Sequence, residues 1–119
     1  MMSEDYRSPG KTTLAPEVLL TIARMSALKV EGVNRLAPVP GGFDRIFKHG
    51  SDNGVQMTIE DEVVYIELYI VLKKDFNVRE VSRNIQTQVS RAISEMVGME
   101  VGHVNVHIED IDYKDEPAL

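Results

Sequence analysis

The side chains best suited to chemistry near neutral pH are His103 and His107, with Glu67 the one carboxylate inside the most apolar run of the chain. Imidazole is a metal ligand, a general base and a proton-linked switch, so each role has to be weighed. Four residues of strand span about 13 Å at about 3.3 Å each, too far for one ion with bonds near 2 Å. His103 and His107 therefore cannot share a metal by themselves. A site joining His103 to Glu67 from a neighbouring strand is geometrically open, against the plainer reading of surface imidazoles. Two acidic clusters, Glu60-Asp61-Glu62 and Asp110-x-Asp112-x-x-Asp115-Glu116, offer carboxylates for calcium. Neither has the glycine and distal glutamate of an EF-hand loop, so the first is read as a hairpin turn and the second as an acidic tail. Gly41-Gly42 lacks the Gly-Lys-Ser/Thr ending of a phosphate loop, and the sequence contains neither a Gly-x-Ser-x-Gly elbow nor a His-Glu-x-x-His pair. No catalytic residue, cofactor or metal site is assigned, and enzyme activity is not expected. Arg79 and Arg83, one helical turn apart, could meet acidic lipid or an acidic partner, but two charges make a weak lipid anchor and a solvated helix face is the favoured reading.

These groups are positioned by a short series of elements. Pro16 at a first helical position, Glu17 in the first turn and apolar Val18, Leu19, Ile22, Met25 and Leu28 predict a helix over residues 16–29, stopped by Gly32. Pro38-Val39-Pro40-Gly41-Gly42 reads as a loop flanked by short strands. Asn53-Gly54 is a hairpin signal between residues 46–49 and the alternating Val55, Met57 and Ile59. The run from Val63 to Leu72 is the predicted central strand, with Val64, Ile66, Leu68, Ile70 and Leu72 on one face. Its other face carries Val63, Tyr65, Glu67, Tyr69 and Val71, too apolar for simple solvation. Asn77 and Glu80 form a capping-box pair, Phe76 and Val81 a hydrophobic staple. The helix they start carries an apolar stripe of Val78, Val81, Ile85, Val89, Ala92, Ile93 and Met96, and Gly98 ends it. A last strand alternates Val104, Val106 and Ile108 inward with His103, Asn105, His107 and Glu109 outward, and the strand–helix–strand unit should place it parallel to a neighbour. The predicted architecture is an α+β two-layer sandwich, two helices packed on one face of a small mixed β-sheet. Residues 1–10 read as a flexible arm, 11–112 as a single domain and 113–119 as an acidic tail.

Bulk properties narrow the function classes. A chain of 119 residues can bury about two thirds of its unfolded surface and needs no staple. Cysteine is absent, which excludes disulfides, thiolate metal sites and cysteine nucleophiles. The acidic opening Met1-Met2-Ser3-Glu4-Asp5 does not read as a secretory signal, and no apolar run reaches the roughly 18 residues of a membrane span. A cytoplasmic location fits. The formal charge of −6 opposes nucleic-acid binding, which draws on a net basic surface.

The order of Val30-Glu31-Gly32-Val33, Val78-Arg79-Glu80-Val81, Ile85-Gln86-x-x-Val89, Met96-Val97-Gly98-Met99-Glu100-Val101 and Val104-Asn105-Val106-His107-Ile108 resembles the bacterial alkaline-shock, or envelope-stress-response, family over roughly residues 11–112. The resemblance implies a cytoplasmic protein linked to cell-envelope stress, without catalytic residues. It also implies indirect membrane attachment through an integral anchor protein for some members. Short tails and the Pro38–Gly42 loop depart from longer members. A pH-sensing imidazole fits an alkaline signal poorly, since imidazole titrates mostly below that range.

If both helices cover one sheet face, Val63, Tyr65, Tyr69 and Val71 remain on the other, where a contiguous apolar patch would mark a protein contact. Coverage of that face by the Pro38–Gly42 loop is the alternative. The leading expectation is a non-catalytic interaction or scaffold module that self-associates or binds a protein partner. Two other classes stay open: a nucleic-acid-binding α+β module, and a metal- or ligand-binding regulatory subunit resting on His103 and Glu67.

Overall fold

The structure, a computed structural model, describes residues 14–40, 51–52 and 54–113. The strand expected over residues 46–49, the N-terminal arm and residues 114–119 lie outside these. Helix α1 spans Pro16–Leu28, with Pro at its start and Glu17 in its first turn. Strands β1 (Val33–Leu36), β2 (Ser51–Asp52), β3 (Val55–Glu60) and β4 (Val63–Lys73) follow. Helix α2 spans Val78–Val97, and β5 (Glu100–Asp112) completes the fold.

The five strands form one mixed sheet with β4 at its centre. Along one edge β4 pairs in parallel with β5 for its whole length, from Val63↔Glu100 to Lys73↔Asp112. Its other edge is shared. The first half pairs antiparallel with β3, from Val55↔Leu68 to Glu60↔Val63, and the second half with β1, Leu36↔Ile70 and Val33↔Leu72. The two short neighbours meet at Tyr69. Its N–H donates to the Gly54 carbonyl at 2.9 Å, while the Ala37 N–H donates to the Tyr69 carbonyl at 2.7 Å. Gly54 has φ +86°, and a Cβ there would lie 2.7 Å from both the Ala37 oxygen and the Leu36 Cβ. Only glycine lets the chain leave the hairpin and enter β3 so close to β1.

The hairpin from β3 to β4 turns on Asp61 and Glu62, with φ of 52° and 67°, the paired positive values of a two-residue turn. This agrees with the turn reading of the first acidic cluster. Asn77 caps α2, its Oδ1 accepting from the Glu80 N–H at 2.9 Å, and Gly98 ends the helix at φ 77°.

The two helices pack on one face of the sheet. Val64, Ile66, Leu68, Ile70 and Leu72 of β4 are fully buried there, with Val55, Met57 and Val104 from the flanking strands and Val81, Ile85, Val89 and Ile93 of α2. Each such aliphatic side chain contributes about 1.5–3 kcal/mol of transfer free energy. The stripe predicted for α1 is corrected in part, since Leu19 is buried and Ile22 packs against the core as expected. Leu19, Leu20, Ala23 and Ala27 face inward, while Val18, Met25 and Leu28 are exposed. Leu19 and Leu20 fill the buried side of the first turns, and the small Ala23 and Ala27 continue it. On α2 four of the five inner members of the predicted stripe are buried and Ala92 is half-buried, but Val78 and Met96 at its ends are exposed, Met96 by 70 %. Among the described residues, no helix is long and apolar enough to cross a membrane.

Candidate functional site: the open sheet face

Side chains alternate across a strand, so with the odd-numbered positions of β3, the even-numbered positions of β4 and Val104, Val106 and Ile108 of β5 turned to the core, their neighbours share the other face. The parallel register aligns Tyr65 with His103, Glu67 with Asn105 and Tyr69 with His107. Gln56 and Thr58 lie on the other side of β4, opposite Glu67 and Tyr65. A shallow concavity of about 340 Å³ is lined by Gln56, Thr58, Glu60, Tyr65, Glu67 and His103.

Glu67 is the hub. Its Oε1 lies 2.6 Å from His107 Nε2, its Oε2 accepts from Asn105 Nδ2 at 2.9 Å, and His103 Nε2 stands 3.5 Å from Oε2. With the carboxylate only 26 % exposed, these donors replace water that the neighbouring rings exclude. The rings pair in the same rows: Tyr69 and His107 stack at 4.7 Å with 12° between planes, while Tyr65 and His103 meet at 5.0 Å, tilted by 60°. The Tyr69 hydroxyl donates to Gln56 Oε1 at 3.3 Å. Burial, then the carboxylates of Glu67 and Glu109, raise the Tyr69 pKa above its ordinary 10.0. That hydroxyl is therefore a donor, not a nucleophile, across the neutral range.

Tyr65 depends on a gap in β5. A Cβ on Gly102 would sit 2.3 Å from Tyr65 Cε1, so the ring occupies the space a side chain would fill. Gly102 falls at a register irregularity between Val101 and His103.

The sheet face is thus aromatic and polar, not the plain apolar patch expected. Val63, Tyr65 and Tyr69 are half-buried, and Val71 is only 2 % exposed, flanked by Arg35 of β1 and Asp110 of β5. Val71 is thereby removed from the accessible set. Pro38–Pro40 are described, whereas Gly41 and Gly42 are not. Arg79 and Arg83 are exposed on α2, on the opposite side of the molecule. His103 and His107 do converge, but on Glu67, and His107 makes the shorter contact. Among the described residues, no group of three or more His, Cys, Asp or Glu is placed to hold a metal ion. Asp112 of the second acidic cluster is turned to Asn34 and to Arg35, whose Nε lies 3.8 Å away. Asn105, Gln56 and Gly102 were not singled out from sequence. Asn105 was at least placed outward by alternation, but the partners of all three depend on strand register.

The helical side has a concavity of its own, about 940 Å³, between Leu14, Val18 and Ile22 of the α1 side and Met96, Val97 and Met99 at the end of α2.

The chain is thus a two-layer α+β fold whose open sheet face carries a cluster of hydrogen-bonded side chains. Residues 4–113 match the alkaline-shock family, described as having a cell envelope-related function, and the chain belongs to that family. Its relatives include the uncharacterised protein YloU of Bacillus subtilis, 27 % identical over 115 residues that cover 92 % of this chain and 96 % of that one. The uncharacterised Spy1535 of Streptococcus pyogenes is 33 % identical over 103 residues, 86 % of this chain and 79 % of its own. Among solved structures, MamM-CTD in a copper form superposes with a TM-score of 0.50 at 13 % identity, covering 79 % of this chain and 95 % of that one. At that identity the likeness is one of fold.

Proposed function

We propose that this protein is a non-catalytic interaction module with an envelope-related role, and that its open sheet face is where a protein partner or another copy docks. The observation that carries this reading is the pairing of Tyr65 and Tyr69 with His103 and His107 around Glu67 on the face the helices leave uncovered. Tyrosine and histidine rings held rigid by neighbours supply contact area at low entropic cost, and Glu67 is already engaged by Asn105 and His107, as Gln56 is by the Tyr69 hydroxyl, so an incoming surface need not strip a bare carboxylate. The chemistry present is that of recognition: a carboxylate–imidazole pair without an assigned nucleophile or metal. Attachment to the membrane, if this member is tethered, would run through a protein partner, with the face as its receptor.

Tyr69→Glu tests the reading. It sets a second carboxylate beside Glu67 at the centre of the face while leaving the core side of β4 untouched. Sedimentation velocity should show a folded protein whose association is weakened; association unchanged from the parent removes the face from the interface.

A further inference from the structure

Resting on the interaction-module reading, we propose that a second copy of this chain pairs with β5, antiparallel about a two-fold axis at Val106, joining the two sheets into one. β5 is a 13-residue strand that pairs with β4 on one side, and among the described residues no strand pairs with its other side. An unpaired edge of this length is a template for another strand unless it is blunted; proline and lysine are absent from Glu100–Asp112, and its two register irregularities lie towards the ends, at Gly102 and Glu109, leaving His103 to Ile108 regular.

The sequence of β5 says which strand fits. Val101, Val104, Val106, Ile108 and Ile111 all pack on the core, at spacings of three, two, two and three residues. This set is symmetric about Val106, register irregularities included. The outward positions are complementary under the same symmetry. Turning the strand about Val106 sets His103 against Glu109 of the second copy and Asn105 against its His107, while Val104 meets Ile108 on the core side. An imidazole facing a carboxylate is a hydrogen-bonding pair, and hydrogen-bonded and aliphatic pairs are among those that stabilise antiparallel neighbours. The end pair, Glu100 with Asp112, is like-charged, but Asp112 already faces Arg35. A parallel pairing of identical strands would instead set each outward residue against its own type, His against His and Glu against Glu. Gln86 donates to the Val104 carbonyl at 3.1 Å in the single chain, a side-chain cap that the N–H of a second strand can replace. Beside this edge α2 lines a shallow groove with the short Thr87, Ser90 and Ser94 and the longer Gln86 and Arg91, together with Val101 of β5.

An axis perpendicular to the sheet keeps both open faces on the same side. Dimerisation through β5 therefore doubles the Tyr–His–Glu surface into one continuous platform, and the isologous contact closes at two copies.

The experiment uses the full chain, which has no cysteine of its own, so a single introduced thiol can report only on its own copy. Under mild oxidation Val106→Cys should give a covalent dimer in high yield. His103→Cys and Glu109→Cys should each cross-link poorly alone and well when mixed. Cross-linking of His103→Cys alone equal to that of Val106→Cys, or none at Val106→Cys, would overturn the register. The charge arm is independent: His103→Glu should weaken the dimer by about tenfold through two repulsive pairs, and adding Glu109→Lys should restore it. Residues 103 and 109 are about 20 Å apart along one strand, so the rescue can act only between copies. Failure of the rescue refutes the pairing. Tyr69→Glu separates this inference from the reading it rests on. Cross-linking lost while Tyr69→Glu still reduces association leaves the face and removes the edge; the reverse result leaves the edge and removes the face.

Discussion

Replacing Gly54 by alanine should cost several times more than replacing Gly98, although both glycines adopt left-handed backbone. Gly98 ends α2 at φ +77° with nothing within 4 Å of where a Cβ would stand. Its substitution pays conformational strain of about 1–2 kcal/mol, partly offset by about 0.4–1 kcal/mol from restricting the unfolded chain. The net loss is about 1 kcal/mol. Gly54 pays the same strain at φ +86°, but its Cβ would lie 2.7 Å from the Ala37 carbonyl oxygen and from the Leu36 Cβ, and 3.2 Å from the Tyr69 oxygen. Those are atoms of two paired strands, unable to swing aside like a side-chain tip. Pushing β1 and β3 apart adds about 1–3 kcal/mol of overpacking and strains the Tyr69–Gly54 and Ala37–Tyr69 hydrogen bonds, for a total of about 3–4 kcal/mol. In urea, with a slope of about 1.5 kcal/mol per molar, the midpoint should fall by about 2 M for Gly54→Ala and about 0.5 M for Gly98→Ala. Equal losses in the two variants would refute the packing argument, because strain alone would then account for both.

The remaining predictions concern the open face. Tyr69 should ionise above pH 10.0 because burial, and then the charges of Glu67 and Glu109, favour its neutral form. A group whose pKa is raised on folding stabilises the fold below its unfolded value and loses that contribution as pH climbs through the folded one, so wild type should lose stability relative to Tyr69→Phe only above about pH 10. The tyrosinate absorbance of wild type minus Tyr69→Phe checks the transition, which Glu67→Gln should lower; a midpoint at or below 10 contradicts the assignment. Gly102→Ala should destabilise by about 1 kcal/mol in wild type by evicting the Tyr65 ring, yet stabilise by about 0.5 kcal/mol in a Tyr65→Ala background, where the ordinary strand penalty of glycine is all that remains. Additive effects in that double-mutant cycle would show that ring and glycine do not touch.

Local signals were legible in the sequence. The Asn77 cap, the Gly98 stop, the two faces of β4 and the parallel placement of β5 all follow from periodicity and turn chemistry, and each is present. What escaped depends on packing between elements. α1 is apolar on more than one side, so periodicity could not say whether Ala23 and Ala27 or Met25 and Leu28 would face the sheet. Convergence of His103 and His107 on Glu67 needs the β4–β5 register, which carries irregularities near Gly102 and Glu109 that no spacing rule supplies. The burial of Val71 has the same origin, since it falls where the register shifts between Ile70 and Val71.

The exposed apolar side chains of the helical layer, Val18, Met25, Leu28 and Met96, make the competing surface. Light scattering across a concentration series, on wild type, Tyr69→Glu and Met96→Glu in parallel, decides between the two most directly. The account predicts that mass rises with concentration in wild type and in Met96→Glu, and that Tyr69→Glu, still folded by circular dichroism, stays smaller throughout. Association lost in Met96→Glu and intact in Tyr69→Glu would contradict it and move the interface to the helices.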